Sequence, residues 1–222
     1  MKFENTEVMN FRAALRGMRN PLESWDKSDS GWAYVVNKDG TSKAQFVIGD
    51  NDMKTAQNLI KASIKGGNSH SKFLRQIFVT VDITAGLHWW KEFDTYKVGT
   101  VANSCSTMHK LASTPITLDC FEWEEFKIED DIYLSDCFIN VVADCEMLRK
   151  KYLETKDKKY WRGLIQLLPE SWLQKRTVTL NYQVLRTMYF DRRNHKLSEW
   201  SKDFINWVET LPYAKELIMY EG

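Results

Sequence analysis

Apolar and polar side chains alternate from Ile77 to Thr84. Ile77, Val79, Val81 and Ile83 fall on one side, and Phe78, Thr80, Asp82 and Thr84 on the other. A period of two predicts a strand with one fully apolar face. The chain then gathers Trp89, Trp90, Lys91, Asp94 and Tyr96, followed by Asn103, Ser104, Cys105, Ser106 and Thr107. A strand that delivers polar side chains to one place is how a pocket is commonly built. A wet surface loop is the competing reading of the same stretch.

Helical spacing appears on both sides of this strand. From Asn10 to Asn20, Phe11, Ala14, Leu15 and Met18 make an apolar face, and Pro21 stops the helix. Arg12, Arg16 and Arg19 share another face of it. Three converging guanidinium groups suit a phosphate, although a solvated face has the same pattern. The polar loop Leu22–Gly31 carries Trp25, placed either to clamp a flat ligand or to anchor the loop. Trp32–Val36 and Gln45–Ile48 read as strands around the turn signal Asn37-Lys38-Asp39-Gly40. Asn51 or Asp52 is the expected cap of a helix with Met53, Ala56, Leu59, Ile60 and Ile64 inward, ended by Gly66-Gly67-Asn68.

A helix-rich half is expected after Pro115. Residues 131–154 place Ile132, Leu134, Phe138, Val141, Val142, Cys145 and Leu148 on one stripe. A further helix ends near Leu168-Pro169, Val178 to Tyr189 reads as helical, and Leu197, Trp200, Phe204, Trp207 or Val208, and Leu211 stripe a last long helix. The fold class is therefore α+β, a twisted sheet packed by long helices. One domain is expected over residues 1–222, sheet-rich to about 115 and helix-rich from 116.

Composition narrows the function. The chain has 222 residues, 43% hydrophobic content and a net charge of +1. No global field draws it to nucleic acid or an anionic membrane, and the cluster Arg192-Arg193-Asn194-His195-Lys196 reads as an inter-helix turn rather than a nucleic-acid patch. No apolar run reaches the length of a membrane span. The N-terminal residues lack the apolar segment of a signal peptide, so the cytoplasm is the default location. Cys105, Cys120, Cys137 and Cys145 have no paired Cys-x-x-Cys spacing and read as free buried thiols rather than as metal ligands with His70, His88, His109 and His195. Nine Trp, nine Tyr and eleven Phe serve either ring stacking or core and interface filling. Glycine-rich dinucleotide and P-loop signatures are both missing.

Several segments together resemble a known family. Asn68-Ser69-His70-Ser71 precedes the strand; Ala102-Asn103-Ser104-Cys105-Ser106 follows it; Leu168-Pro169, Thr179-Leu180-Asn181 and Arg192, eleven residues beyond Asn181, come later. This order resembles the flavin-dependent thymidylate synthases over roughly residues 50 to 210. Those enzymes carry a signature R-H-R-x-x-S-x-N-x-x-S-x-R, then Leu-Pro, then Thr-x-Asn opening a helix, then an Arg and a closing helix. The resemblance implies a homotetramer that holds FAD at subunit interfaces and acts as a methyltransferase on a (deoxy)uridine-type nucleotide.

The departures bear on chemistry. With Asn103 and Ser106 in register, Tyr96, Lys97 and Val98 stand where the family has Arg, His and Arg. Val101 replaces the first Ser and Met108 the final Arg, and Ile165 and Gln166 occupy the region of a further family Arg. Polarising a uracil ring needs strong donors aimed at its developing negative charge. Lys97 is cationic but offers no bidentate fork. The resemblance thus implies a nucleotide pocket of altered ligands, lined by Lys97, Asn103, Ser106, His109 and Arg192, with Arg75 and the Arg12/Arg16/Arg19 face as replacement phosphate donors and with synthase activity changed or lost. The alternative is a non-catalytic nucleotide-binding or partner-binding protein on the same scaffold. A Cys105–His109 nucleophile is a separate possibility from their spacing of four, weighed against plain burial of the thiol. Glu122, Glu124 and Glu125 read as a solvated helix face.

Overall fold

The computed structural model describes residues 1–36, 40–67, 69–126 and 132–222. The expected turn residues Asn37, Lys38 and Asp39, the helix-ending Asn68 and the helix-opening Asp131 lie outside them, as do the side chains of Ile132 and Leu134. Among the described residues, strands β1 (Lys2–Met9), β2 (Gly31–Val36), β3 (Ser42–Val47), β4 (Phe78–Gly86), β5 (Val101–Ser104) and β6 (Leu173–Asn181) form two sheets. One has the order β1-β4-β6-β5; the other is the antiparallel pair β2-β3, with Trp32 opposite Phe46. By packing, the chain divides into two units. One holds Met1–Glu4, Asp82–Thr95 and Ala102–Thr177, the other Asn5–Val81, Tyr96–Val101 and Val178–Gly222.

β4 behaves as its alternation requires. Ile77, Val79 and Val81 expose no surface and Ile83 exposes 1%. The polar positions meet β6: Thr80 and Thr179 share a hydrogen bond of 3.1 Å, and the Thr177 hydroxyl donates to Asp82 at 2.6 Å. The sheet's two edge strands, β1 and β5, escape sequence reading. Every residue of β5 is exposed, and only Phe3 and Val8 of β1 are half-buried. An edge strand with two wet faces carries no apolar alternation to read. The expected helix at Val178 also begins as strand, β6, because Gln174, Val178 and Leu180 bury alternate positions up to Asn181.

In the second unit, α1 (Phe11–Arg19) buries Phe11, Ala14, Leu15 and Met18 as its spacing predicts. Phe11 meets the edges of Tyr182 and Tyr213, each at 5.6 Å. Arg19 is buried as well. Its Nε donates to Asp52 Oδ1 at 2.5 Å, and Asp52 Oδ2 accepts from Ser28 Oγ at 2.6 Å and Ser30 Oγ at 2.5 Å. Burial pushes the Asp52 carboxyl upward, but the donors Ser28, Ser30 and Arg19 prevail and hold it below its ordinary value.

Helix α2 (Asp50–Gly66) is capped from a distance, not by Asn51 or Asp52, which lie in its first turn. Asp29 accepts the backbone N–H groups of Asn51 at 2.8 Å and Asp52 at 3.0 Å. Sequence-local capping rules cannot find such a partner. Ala56 and Ile60 are buried, whereas Ile64 in the last turn is 55% exposed, contrary to its expected inward position.

Helix α7 (Tyr182–Arg192) follows β6 directly. The expected last long helix is instead a π-helical turn Glu199–Phe204, a short α8 (Ile205–Glu209) and a second π-helical turn Ala214–Ile218. Its stripe is nevertheless buried at Trp200, Phe204, Trp207, Val208 and Leu211, and Pro212 bars continuation of a regular helix.

In the first unit, α3 (Leu87–Phe93) leaves β4 and buries Trp89, Trp90 and Phe93. The two indoles meet at 4.9 Å, and Trp90 Nε1 donates to the Gln174 carbonyl at 2.9 Å. These rings build core and offer no face to a ligand. Helices α5 (Ile132–Thr155) and α6 (Lys158–Leu167) follow the short α4 (Thr107–Lys110). Phe138, Val142, Cys145 and Leu164 pack with Leu111, Ile116 and Phe121. Among the thiols only Cys145 is buried; Cys105 and Cys137 are exposed, so burial does not explain all four. Glu146 clips the preceding loop to α5: it accepts Arg149 Nε at 2.6 Å and the Ile116 N–H at 2.8 Å, while Arg149 donates to the Ala112 carbonyl at 3.2 Å.

Two stability measurements check this packing. Hydrogen bonding by Arg149 lowers the Glu146 carboxyl from 4.5 to about 2. A depressed folded value gives stability that is complete above pH 4.5 and drains away as pH falls toward 2. Glu146→Gln is expected to cost about 2 kcal/mol at neutral pH, with the gap from wild type closing in acid when both are unfolded by urea. Asp52→Ala strands a buried guanidinium and is expected to cost about 3 kcal/mol, read as a lower Tm by circular dichroism.

Candidate functional site

Within the second unit, a cleft of about 340 Å³ is lined by Arg75, Val98, Gly99, Asn181, Gln183, Val184 and Thr187. Its parts come from three local rules. The 3-10 turn Lys72–Gln76 buries Phe73 and Leu74, which leaves Arg75 exposed between them and β4. Asn181 ends β6 and caps α7, its Oδ1 accepting the Val184 N–H at 3.1 Å. The Thr179-Leu180-Asn181 segment therefore opens a helix, as expected. Gly99 adopts φ +84°, which side chains other than glycine rarely take.

The cleft offers one cation and two amides. Among the described residues, the Arg75 guanidinium has no hydrogen bond or ion pair, so its donors remain available. Gln183, a lining residue that sequence reading missed, is fixed by the Ser71 hydroxyl donating to its Oε1 at 2.8 Å. Its only sequence signal is the position two residues beyond Asn181. Such a set can bind an oxyanion through Arg75 and read a ring edge through the amides. It contains no nucleophile paired with a base.

Tyr96 and Arg192, also in this unit, hold each other. Arg192 Nε donates to the Tyr96 hydroxyl at 2.9 Å, and the guanidinium lies 4.7 Å from the Trp200 ring and 5.3 Å from the Tyr96 ring. The Tyr96 hydroxyl donates to Asp191 at 3.2 Å, and burial, ahead of the opposing Arg192, raises it above its ordinary value. Arg192 ends α7, so eleven residues of helix, about 16 Å at the α-helical rise, separate it from the Asn181 end. Lys97 is exposed, with no side-chain partner among the described residues.

Asn103, Ser106 and His109 belong to the first unit. Asn103 is exposed on β5. Ser106 caps α4, its Oγ accepting the His109 N–H at 3.1 Å, and lines a hollow of about 360 Å³ with Cys105, Thr107, Lys110, Trp172 and Gln174. His109 is exposed and does not line it. No hydrogen bond joins Cys105 to His109 among the described residues. Gln174 Nε2 instead ties the turn, donating to the Cys105 carbonyl at 2.9 Å and Thr107 Oγ1 at 3.2 Å. Arg176, unflagged in the sequence, stacks 4.2 Å from the Trp90 ring and donates to Asp94 at 3.3 Å and Gln174 at 2.9 Å. Its Nε and Nη1 are engaged within the protein.

Gly99 gives a direct check on the cleft. A Cβ there would stand 3.0 Å from Val184 Cγ2 and 3.2 Å from Asn181 Nδ2. Gly99→Ala is expected to lower stability by about 1–3 kcal/mol through strain. Denaturant titration measures this, and an unchanged midpoint would refute the assigned backbone.

No protein-family model and no curated protein matches this sequence. No helix among the described residues is long and apolar enough to cross a membrane. Solved structures do match. One is a crystal structure of the flavin-dependent thymidylate synthase of Helicobacter pylori complexed with FAD and dUMP, at 17% identity and a TM-score of 0.67, covering 100% of this chain and 98% of that one. Another is a crystal structure of the Helicobacter pylori enzyme with FAD and dUMP, at 17% identity and a TM-score of 0.68, covering 100% of both chains. The architecture assembled from β4, β6 and their helices is thus the fold of the flavin-dependent thymidylate synthases, extending over the whole chain.

Proposed function

We propose that this chain binds a (deoxy)uridine-type nucleotide in the Arg75 cleft and that its thymidylate synthase activity is altered or lost. The observation that carries this reading is the placement of Arg75 beside Asn181 and Gln183 at the start of α7. A guanidinium supplies the fork that a phosphate accepts, and the two amides, their oxygens held by the Val184 N–H and the Ser71 hydroxyl, offer N–H donors to pyrimidine carbonyls. The dUMP in the structural neighbours supports the same ligand class.

The changed chemistry follows from what stands at the signature positions. Tyr96 is committed to Arg192 and Asp191, Val98 is apolar and 92% exposed, and Met108 has no charge. None can stabilise negative charge developing on a uracil ring as guanidinium groups do. FAD, which the structural neighbours carry, is held at subunit interfaces in the family this chain resembles, so the described cleft would supply only part of its site. Its diphosphate would meet the single guanidinium of Arg75, and no lining side chain is aromatic. A homo-oligomer in the cytoplasm, with further donors from a second copy, belongs to the same reading. The alternative reading is a nucleotide-binding or partner-binding protein without catalysis.

Thermal-shift titration with dUMP tests the nucleotide. A rise in Tm that deoxyuridine does not reproduce, and that Arg75→Gln reduces at least tenfold in apparent affinity, is expected. Absence of any shift with dUMP would overturn the assignment. Flavin absorbance retained at one FAD per chain after gel filtration, and reduced in Arg75→Gln, is expected of a flavoenzyme; a colourless protein that takes up no added FAD would remove that reading.

A further inference from the structure

A second cavity lies elsewhere in the same unit, beneath the β2-β3 hairpin, and its lining is independent of the Arg75 cleft. It measures about 360 Å³ and is walled by Arg12, Arg16 and Arg19 of α1, with Trp25, Trp32 and Phe46 around them. Arg12, Arg16 and Arg19 occur at spacings of four and three, which places them on one helix face. No acidic residue lies on α1 to offset them.

The three guanidinium groups are unequally satisfied. Arg19 is 4% exposed, and Asp52 takes its Nε, yet its Nη2 is buried without a hydrogen-bond acceptor among the described residues. Arg12 and Arg16 are exposed and have no hydrogen bond or ion pair among those residues. Among the described residues Asp52 is the one carboxylate contacting any of the three, and its second oxygen is already filled by Ser28 and Ser30. A buried donor without a partner is costly and calls for an acceptor. Three cations against one carboxylate leave room for an anion of two charges or more.

The aromatic residues give the rest of the ligand. Trp25 is held by its Nε1 donating to Asn20 Oδ1 at 2.9 Å, and remains 49% exposed. Trp32 is 65% exposed and rests its edge against Phe46 at 5.9 Å. Arg12, Trp32 and Phe46 also line a second hollow of about 590 Å³ along β3. Exposed indoles beside a cationic hollow suit a flat ring joined to a phosphate.

We propose that this cavity is a second ligand site, one that takes a phosphorylated compound with a planar ring, of the nucleoside diphosphate class. The phosphates sit against Arg12, Arg16 and the orphan donor of Arg19, and the ring lies against Trp25 or Trp32. The site is built by α1 and the hairpin, so it does not depend on the nucleotide reading of the Arg75 cleft.

Tryptophan fluorescence of the full chain, titrated with ADP at low salt, tests it. Saturable quenching is expected, with adenosine at least tenfold weaker. Arg12→Gln combined with Arg16→Gln is expected to weaken ADP at least tenfold with Tm unchanged, whereas Arg75→Gln leaves ADP binding intact. Trp25→Phe and Trp32→Phe together are expected to remove most of the quenching amplitude. ADP binding unaffected by the double arginine variant, equal affinity for adenosine, or no saturable binding would overturn the proposal. So would a ten-nucleotide oligothymidylate that binds far more tightly than ADP and loses affinity steeply with salt, because that marks a nucleic-acid surface.

Discussion

β4 and Ile77 just before it have to remove four branched apolar side chains from water while keeping Thr80 and Asp82 satisfied. A slip of one residue would exchange Ile77, Val79, Val81 and Ile83 for Phe78, Thr80, Asp82 and Thr84. The exchange would bury a carboxylate and two hydroxyls and expose the apolar row. A hydrogen bond between Thr80 and Thr179, and one from the Thr177 hydroxyl to Asp82, reinforce the same alignment. With β6 held there, Asn181 arrives at the start of α7 as its cap, and the Arg75 cleft acquires its amide lining.

A second constraint concerns charge out of water. Asp52 has no exposed surface, so its ionised form survives only through the donors Ser28, Ser30 and Arg19. Those contacts bring the loop before β2, the start of α2 and the end of α1 to one point. They also use part of Arg19 and leave Arg12 and Arg16 uncompensated. The arginine face is thus neither a plain solvated surface nor a finished ion-pair network. It is a cationic wall whose one buried acid is already saturated.

The fold and the signature point in different directions for chemistry. The architecture matches synthase structures along its whole length, at 17% identity. Tyr96, where the sequence resemblance expects the signature to begin, belongs to an aromatic and guanidinium stack with Arg192 and Trp200. A side chain absorbed into packing cannot also serve a substrate. At 17% identity the likeness carries the fold and not the reaction, because a reaction depends on a few donors at fixed places.

Where water sorted the residues, sequence alone determined the outcome. The β4 alternation, the apolar faces of α1 and α5, and the stripe from Trp200 to Leu211 follow from period and bulk, whereas the helix opening at Asn181 was implied by the family resemblance. The edge strands β1 and β5 were illegible because both of their faces are wet. Only tertiary structure could decide that Asp29 caps α2, that Trp89 and Trp90 are core, and that Gln183 lines a cleft. Only it could separate Arg75, beside amides, from Arg176, spent on Trp90 and Asp94. Each of these depends on a partner tens of residues away in the chain, and local sequence holds no record of which distant donor or ring will meet a given side chain.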